Sequence, residues 1–574
     1  NYNTVVGDEA GTAITTGDDN TFIGYNAGTA VTTGQFNTLI GADSGDAITT
    51  SGYNTAIGWE SLSANTSGEV QTALGVSTLR ANTTGTQNTA VGGNAMYSNT
   101  EGDNNVAVGH NALDANTTAD NNTAVGKNAL GANTTADNNT AMGYNAGAAI
   151  TTGTRNTLIG GAAGDAITTA DDNVAIGQTA LGTDTLGSKS VAVGRAALAT
   201  QNFTTATDSY NTAVGFQAGE AVTTGLNNTL IGALAGDAIT TAESNTAVGY
   251  QALTDTTTGG DNTAVGELAL ANNTTGYRNV ALGSSALFTK TTGNDNTAIG
   301  TNALYANTTA SNNTAVGFNA GTAVTTGTGH TLVGANAGDS LTTGNDNVAI
   351  GKDALSADTL GSGSVAIGLV ALQDQNFTTA TNAYNTAIGR SAGRDITTGL
   401  QNTIIGALAG DALTDADDNV AIGVVALTAD TLGSRSVAVG RGTLGAQNFT
   451  TATNTYNTAV GYDAGAAITT GVQNTLVGAL AGDALTDADF NVAVGINALT
   501  ADTLGSMSTA IGDNALAAQN FTTATNTYNV AVGISAGLNV TTGTQNTLIG
   551  ALAGDALTDA DENVAVGYGA LGAD

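Results

Sequence analysis

The stretch Asn122-Thr123-Ala124-Val125-Gly126 recurs with small variations 33 times between Asn3 and Asn563. Its period is 17 residues, and four intervals are lengthened to 21, at 190–211, 364–385, 436–457 and 508–529. The 17-residue spacing resumes directly after each longer interval. A short motif that returns at a fixed spacing along the whole chain is typical of a repeat array, in which each copy forms one structural unit.

Each repeat reads as one short strand followed by a turn. We number every repeat from its Asn as position zero, which places Gly at position four in all 33 copies. An obligatory Gly indicates a positive φ or a backbone too close for a side chain. Positions one to three combine Thr or Val with Val, Ile, Leu or Met around a usually smaller residue, as β-strands do. Such units are too short for a helix plus a strand, so they must stack on one another.

The pattern therefore predicts an all-β fold, a β-solenoid (β-roll) of 33 coils with 17 residues per coil, in which four coils carry four-residue corner inserts. Residues 1–574 are expected to form a single continuous repeat domain, and the chain is expected to be a segment of a longer polypeptide. The position-three residues Val6, Ile23 and Ile40 and their equivalents are predicted to form an inward column.

Two further positions indicate a core of fixed volume. Position eight is Gly in 15 copies, and position eleven is then always Ile, Val or Leu, as in Gly11 and Ile14. In the other 18 copies position eight is Leu or Met and position eleven is polar, as in Leu113 and Asn116. This exchange supplies one large apolar residue per coil, as a close-packed interior requires.

Position zero is Asn in 27 of 33 copies. Stacked Asn side chains can hydrogen-bond along a column, and Asn tolerates turn conformations, so we predict a structural ladder rather than a catalytic role. His330 occupies the same position, and we interpret it as a ladder substitute rather than a metal ligand. The second histidine, His110, lies in an unrelated copy.

The four long repeats place aromatic residues in predicted corner loops, on a chain with only 4% aromatics. Because loops on one edge of a solenoid often carry function or subunit contacts, these residues are interaction candidates. They are Phe203, Tyr210, Phe377, Tyr384, Phe449, Tyr456, Phe521 and Tyr528.

Position two predicts an assembly. It is Ala in 24 coils and a larger apolar residue in the other nine, including Leu230 and Leu476. If position three faces inward, position two faces outward, and an apolar outer column suggests a covered surface. We therefore predict a homo-oligomer of parallel rods with Leu230 and Leu476 at the contact; the number of chains, a trimer, is what the resemblance described below implies.

Composition excludes several classes of protein. The chain has 12 basic and 47 acidic residues and a net charge of −35, which argues against nucleic-acid binding. No run approaches the roughly 18 apolar residues of a membrane span, so no membrane insertion is expected in this segment. The absence of Cys excludes disulfides and Cys-ligated metals.

The repeat pattern NTAVGxxALxxNTTGxx resembles the head repeats of trimeric autotransporter adhesins, and it is similar to repeat regions of phage tail fibres and tailspikes. The resemblance covers essentially the whole chain. It implies an extracellular, cell-surface or virion location, homotrimers of rolls, and a non-enzymatic fibre, stalk or head for surface attachment, with a cell-surface glycan or receptor as target.

The residues also bear on two other activities and on one metal ligand. A glycan-degrading tailspike is the main alternative, since acidic residues in adjacent coils could lie at glycosidase spacing, although no acidic pair here is singular. Ice binding is a lesser alternative, because paired threonines such as Thr15 with Thr16 and Thr168 with Thr169 are adjacent rather than alternate. No cofactor is expected apart from weak calcium candidates in two acidic corners, which are Asp415, Asp417, Asp418, Asp559, Asp561 and Glu562.

Overall fold

The protein is an all-β parallel β-solenoid of about 33 coils with about 17 residues each, as predicted from the repeat. A computed structural model describes residues 2–289 and 292–572. The chain divides into two compact units, Asn1–Ser285 and Ala286–Asp574. The prediction of one continuous domain stays a prediction.

The first unit contains β1 to β19. Seventeen three-residue strands occupy positions one to three of successive coils, and each pairs in parallel with the next one. Two two-residue strands, β12 and β14, form a small side sheet at the first insert. The strands are β1 Thr4–Val6, β2 Thr21–Ile23, β3 Thr38–Ile40, β4 Thr55–Ile57, β5 Thr72–Leu74, β6 Thr89–Val91, β7 Val106–Val108, β8 Thr123–Val125, β9 Thr140–Met142, β10 Thr157–Ile159, β11 Val174–Ile176, β12 Gly187–Ser188, β13 Val191–Val193, β14 Thr207–Asp208, β15 Thr212–Val214, β16 Thr229–Ile231, β17 Thr246–Val248, β18 Thr263–Val265 and β19 Val280–Leu282.

The second unit contains β20 to β41 and repeats this design, with three side sheets in which β24 pairs with β26, β30 with β32 and β36 with β38. Its strands are β20 Thr297–Ile299, β21 Thr314–Val316, β22 Thr331–Val333, β23 Val348–Ile350, β24 Gly361–Ser362, β25 Val365–Ile367, β26 Thr381–Asn382, β27 Thr386–Ile388, β28 Thr403–Ile405, β29 Val420–Ile422, β30 Gly433–Ser434, β31 Val437–Val439, β32 Thr453–Asn454, β33 Thr458–Val460, β34 Thr475–Val477, β35 Val492–Val494, β36 Gly505–Ser506, β37 Thr509–Ile511, β38 Thr525–Asn526, β39 Val530–Val532, β40 Thr547–Ile549 and β41 Val564–Val566.

Equivalent positions lie directly above one another in paired coils. Thr38 is opposite Thr55, Leu39 opposite Ala56, and Ile40 opposite Ile57. Backbone hydrogen bonds continue this register beyond the strands, as where the Gly41 N–H donates to the Ile23 carbonyl at 2.8 Å. Every position of the repeat therefore forms a column that runs along the stack within each unit.

Position four shows why only Gly is found there. Gly160 has a φ of +138°, and a Cβ placed on it would lie 2.5 Å from the carbonyl oxygen of Gly177 in the next coil. The same conflict arises at Gly58, whose added Cβ would lie 2.2 Å from the Gly75 oxygen. Both reasons predicted for the Gly, a positive φ and a close backbone approach, are confirmed.

The predicted direction of the strand side chains is wrong. Position two is the buried one: Leu39, Ala56 and Leu158 are fully buried, whereas Val6 is 57% and Ile23 is 37% exposed, and Ile40 is half-buried. The physical reason is the alternation of a strand. The position-zero Asn side chains point into the coil, so positions one and three must point out.

The exchange between positions eight and eleven is confirmed in the described residues. Val31, Ile48 and Ile167 at position eleven are fully buried, and so are Leu62 and Leu113 at position eight. Lys290 and Asp574, which occupy position eleven in two repeats, lie outside the described residues.

Position two takes part in the same exchange. All nine coils with a large residue at position two have Gly at position eight. Leu158 shows why, because a Cβ on Gly164 of its own coil would lie 2.8 Å from Leu158 Cδ2, and a Cβ on Gly147 of the preceding coil would lie 2.7 Å from Leu158 Cδ1. One leucine thus fills the space opened by two glycines.

Two adjacent glycines allow a matched test of the stacking constraint. Gly160→Ala should lower the free energy of unfolding by about 3 kcal/mol or more, because the methyl group meets backbone and the φ is unfavourable for alanine. Gly161→Ala is the control, since a Cβ there would meet no atom within 4 Å. Denaturant unfolding followed by circular dichroism compares them, and equal effects of the two changes would contradict the stacking argument.

The inward and outward columns can be tested in one coil. Ile167→Ala removes a fully buried side chain and should cost about 2–5 kcal/mol of unfolding free energy. Ile159→Ala in the same coil shortens a half-exposed position-three side chain and should cost clearly less. If thermal unfolding ranked the two variants in the opposite order, the assignment of the core would be wrong.

Candidate interaction surface

The outer surface of the strands forms a continuous uncharged face in each unit, with one wholly apolar column. We call it the outer sheet face; it consists of the position-one and position-three side chains. Position three is apolar in all 33 repeats, yet its side chains are half-buried in most coils and exposed in others, with Ile57 40%, Met142 46% and Ile388 37% exposed. Position one adds Thr in 22 repeats and Val in 11. Solvated strand faces normally carry polar residues, so this face has the composition of a contact surface.

Charge is distributed unevenly around the coil. Positions one to five carry five basic and three acidic residues over all repeats, a net charge of +2, whereas the other positions carry −37. Positions one to three carry no charged residue at all. The outer sheet face is therefore a neutral strip on a strongly acidic molecule, and a partner can approach this strip with little electrostatic repulsion.

Aromatic residues line the two edges of the outer sheet face. One edge is position five, just after the invariant Gly; the other is the residue just before each position-zero residue. Sixteen of the 25 aromatic residues lie on these edges. They are Tyr25, Trp59, Tyr144, Phe216, Tyr250, Phe318, Tyr462 and Tyr568 at position five, and Tyr2, Phe36, Tyr53, Tyr210, Tyr384, Tyr456, Phe490 and Tyr528 on the other edge.

Edge aromatics turn their ring faces toward neighbouring coils. Phe36 and Tyr53, in successive coils, stack with centroids 5.0 Å apart and planes inclined by 20°. The Arg195 guanidinium lies over the Phe216 ring of the next coil, 5.4 Å from its centroid. Arg441 lies over Tyr462 in the same way at 5.6 Å. Such cation–π contacts hold the rings along the solenoid axis.

The corner inserts divide their two aromatic residues between core and edge. Phe203 is only 5% exposed, whereas Tyr210 is 54% exposed and stands on the edge of the outer sheet face. Lys189 bonds both to the Tyr210 hydroxyl at 3.3 Å and to Asp208 at 2.6 Å. The other three inserts show the same division, with Phe377, Phe449 and Phe521 buried and Tyr384, Tyr456 and Tyr528 exposed. The tyrosines can meet a partner, and the phenylalanines serve packing.

A buried polar network under each insert was missed by the sequence analysis. Asp184, at position eleven of the preceding coil, is fully buried and accepts hydrogen bonds from the Gly187 N–H at 3.0 Å and from Gln201 Nε2 at 2.6 Å. Gln201 also donates to Ser190 Oγ and accepts from Asn211 Nδ2. Burial raises the pKa of Asp184.

This network repairs the ladder where Ser replaces Asn. In ordinary coils the Asn Nδ2 at position zero donates to Oδ1 of the preceding Asn, as Asn156 does to Asn139. After a Ser there is no such oxygen, and Asn211 Nδ2 donates to Gln201 Oε1 instead. A sequence signal was present, because each Ser at position zero occurs with Gln at position eleven and with Asp at position eleven of the coil before. The four sets are Asp184, Ser190 and Gln201; Asp358, Ser364 and Gln375; Asp430, Ser436 and Gln447; and Asp502, Ser508 and Gln519.

The predicted interface leucines lie in the core. Leu230 and Leu476 are fully buried within their own units, each against the glycines of two successive coils. They cannot form an external contact in this fold, because position two points inward. The apolar outer column that suggested an assembly is position three instead.

The calcium candidates point to separate partners. Asp415 accepts a hydrogen bond from Thr398, Asp417 from the Leu400 N–H, and Asp418 lies 3.5 Å from Arg435. In the corner that also contains Glu562, Asp561 accepts a hydrogen bond from Thr544, and Asp559 accepts one from Thr558. Within residues 2–289 and 292–572, no group of three or more His or acidic side chains is placed to hold a metal ion.

The Asn ladder is confirmed. Asn37 Oδ1 accepts hydrogen bonds from the Asn54 N–H at 3.1 Å and from Asn54 Nδ2 at 3.0 Å. Asn20, Asn37 and Asn54 are all buried. His330 continues this column, as predicted: its N–H donates to Asn313, and its Nδ1 accepts from the Asn347 N–H at 3.3 Å. Burial lowers the pKa of His330. His110 is exposed at position five.

The described part of the chain contains no helix that is long and apolar enough to cross a membrane. No protein-family model matches the sequence, and no curated protein is significantly similar to it.

The ladder histidine gives a pH-dependent prediction. Because the folded-state pKa of His330 lies below that of the unfolded chain, about 6.5, the unfolded state binds the proton first as pH falls. The stability that neutral His330 contributes is complete above about pH 6.5 and is lost below it. Asn cannot titrate, so His330→Asn does not lose this stability. The melting temperature of His330→Asn minus that of wild type should therefore increase as the pH falls from 7 to 5.

The control for this comparison is His110→Asn, which removes an exposed imidazole and should follow wild type at both pH values. Thermal unfolding by circular dichroism measures all three proteins. A wild-type and His330→Asn difference that is the same at pH 7 and pH 5 would show that the buried imidazole does not limit acid stability.

Proposed function

We propose that this chain is a non-enzymatic structural part of an extracellular fibre or adhesin, on a cell or a virion, and that it attaches to an extended target through the outer sheet face. The observation that carries the proposal is the uncharged outer sheet face, with its wholly apolar position-three column, on a molecule with a net charge of −35. A repeated contact strip suits attachment at many points, in which weak contacts sum.

The fold alone does not require apolar side chains at position three. Thr at position one occupies the same outer face in 22 repeats, and it supplies the β-branched shape that strands favour. Position three is nevertheless never polar in any repeat. The exposed fractions of 36–46% at Val108, Met142 and Ile231 leave apolar area for a partner. This supports a contact role for the column.

Charge supports the same surface. The acidic flanks keep finished molecules soluble and apart, and their field is screened beyond about 8 Å at physiological salt. At closer range the neutral strip presents Thr hydroxyls, β-branched side chains and edge aromatics. Such a surface suits an uncharged partner with both apolar and hydroxyl groups.

A second copy of the chain is the other candidate for this face. A homotrimer is what the resemblance to autotransporter heads implies, but its argument from position two fails because Leu230 and Leu476 are buried. Position three could still mediate assembly, and the test below separates this outcome from binding to an external target.

Ice binding gains one specific observation. In most coils Thr at position one and Val or Ile at position three lie on the same face and form two parallel columns, which is the spacing that an ice-binding array needs. The adjacent threonines, such as Thr15 with Thr16, do not have this spacing. Thr15 Oγ1 instead donates to the Thr32 carbonyl at 3.0 Å, and Thr168 Oγ1 to the Thr185 carbonyl at 3.1 Å. Thermal hysteresis measurements distinguish ice binding, and release of reducing ends from host polysaccharide distinguishes the glycan-degrading tailspike.

Adhesion through the outer sheet face predicts the behaviour of a triple variant. Val108→Glu, Met142→Glu and Ile388→Glu together place three charges on exposed position-three sites. Adsorption to insoluble chitin, to cellulose and to fixed bacterial cells, measured by depletion from solution, should fall at least tenfold on every surface that wild type binds. Circular dichroism should be unchanged, because these side chains lie outside the core.

The matched control places three glutamates at exposed position-thirteen sites, with Thr84→Glu, Thr135→Glu and Thr326→Glu, and should adsorb almost as wild type does. Equal losses in both triple variants would reduce the effect to net charge and contradict the proposal. Failure of wild type to adsorb to any surface would also contradict it. Sedimentation velocity that shows a wild-type oligomer dissociated only by the position-three variant would assign the face to another copy.

A further inference from the structure

Position five forms a regular series of notches. Eight pairs of successive coils both have Gly at position eight, and in seven of them position five of the second coil is Ala or Gly; the exception is Tyr25. The seven small residues are Ala42, Gly161, Ala233, Ala335, Ala407, Ala479 and Ala551. The side chains of the coils before and after stand on either side of this small residue. A Cβ placed on Gly161 would meet no atom within 4 Å, so the floor of its notch is open.

Two notches have aromatic residues on both walls, and both lie in the first unit. In the first notch Tyr25 and Trp59 stand on either side of Ala42, and they are 53% and 51% exposed. In the second notch Phe216 and Tyr250 stand on either side of Ala233, and they are 44% and 50% exposed. The walls are two coils apart, or about 9.6 Å at roughly 4.8 Å per strand.

This spacing fits one inserted ring. A ring midway between the walls would lie about 4.8 Å from each, within the roughly 4.5–7 Å range of stacked ring contacts. In the second notch the Arg195 guanidinium of the preceding coil lies over the Phe216 ring, so one face of this ring is turned to the preceding coil and the opposite face is turned toward the coil of Ala233. The space above the small residue therefore has the width of one ring, and this width is fixed by the stacking of the coils.

Polar side chains border the first notch at position six. Asn26, Asp43 and Glu60 are half-buried there, and Asn26 Nδ2 donates to Asp43 Oδ1 at 3.0 Å. Glu60 is held by Arg80 at 2.6 Å. The second notch has Gln217 and Gln251 at the same positions. Amide and carboxylate groups beside an apolar slot suit a ring with hydroxyl groups on its rim.

We propose that these two notches are binding sites for pyranose rings of a neutral glycan. A pyranose has an apolar C–H face for the aromatic walls and hydroxyls for Asn26, Asp43 and the glutamines. The carboxylates at the first notch and the net charge of −35 disfavour an anionic sugar. An aromatic side chain of another protein would stack as well but would leave the polar rim without partners.

The inference rests on the proposed adhesive function and deepens it by naming the ligand class for one edge of the outer sheet face. The two notches lie eleven coils apart in one unit, or about 53 Å along the stack. A polysaccharide can engage both at once, and the linked second contact raises the overall affinity above that of either site.

The test uses the full chain with chitohexaose and cellohexaose, and oligogalacturonate as the anionic comparison. Trp59 is the only tryptophan, so intrinsic tryptophan emission reports on the first notch alone. Isothermal titration calorimetry counts both sites. Wild type should bind one or both neutral oligosaccharides with two sites per chain and a saturable change in Trp59 emission, and should bind oligogalacturonate at least tenfold more weakly.

Filling each notch separates the sites. Ala42→Leu should remove the Trp59 response and leave one calorimetric site; Ala233→Leu should leave one site with the Trp59 response intact. The matched control is Ala407→Leu, whose walls are Arg390 and Val424, and it should bind as wild type does. Tyr25→Ala removes a wall without adding bulk and should weaken the Trp59-linked site at least tenfold.

Three results would overturn the inference: no saturable binding of either neutral oligosaccharide at millimolar concentration, an unchanged Trp59 response in Ala42→Leu, or a Trp59 response to protein concentration alone. The last would place another copy of the chain in the notch. The position-three glutamate variant keeps the notch residues and should retain two calorimetric sites. Loss of adsorption with these sites intact would therefore support the adhesive face independently of the notches.

Discussion

The direct stacking of backbone on backbone at position four governs this structure. With a Cβ at Gly160 or Gly58 the coils could not close to hydrogen-bonding distance, since the atom would enter the carbonyl of the next coil. Once one position is held in vertical register, every other position of the repeat is held too. The Asn ladder, the paired strands and the buried apolar columns are consequences of this one alignment, and none of them could persist if successive coils were offset.

Much of this architecture could be predicted from the sequence, because the repeat places the same residue types at the same positions many times. The period, the Gly requirement, the Asn ladder and the exchange between Gly147 with Ile150 and Leu113 with Asn116 all follow from counting. The direction of the strand did not follow, because Val and Ile at position three are larger than the usual Ala at position two, and residue size predicts burial for position three. Side chains alternate along a strand, so an Asn that points inward at position zero requires position two to point inward as well. This alternation decides which column is buried, whatever the size of the side chains.

The candidate surface was harder to predict for the same reason. The sequence places Phe203 and Tyr210 together in an insert, but it does not show that Phe203 is buried and Tyr210 exposed. That difference depends on the path of the chain through the insert. The network of Asp184, Ser190 and Gln201 joins residues of different coils, and no single repeat reveals it. The neutral character of the outer sheet face emerges only when charges are summed by column rather than along the chain.

The leucine shared between two coils bears on how such a gene can grow or shrink. Leu158 occupies the space above Gly147 and beside Gly164, so the loss of its coil alone would leave Gly147 facing a void. A duplication or deletion that moves the two coils together keeps each glycine with its leucine. Recombination is thus constrained to act on coil pairs in these parts of the array, although the visible repeat in the sequence is half that length.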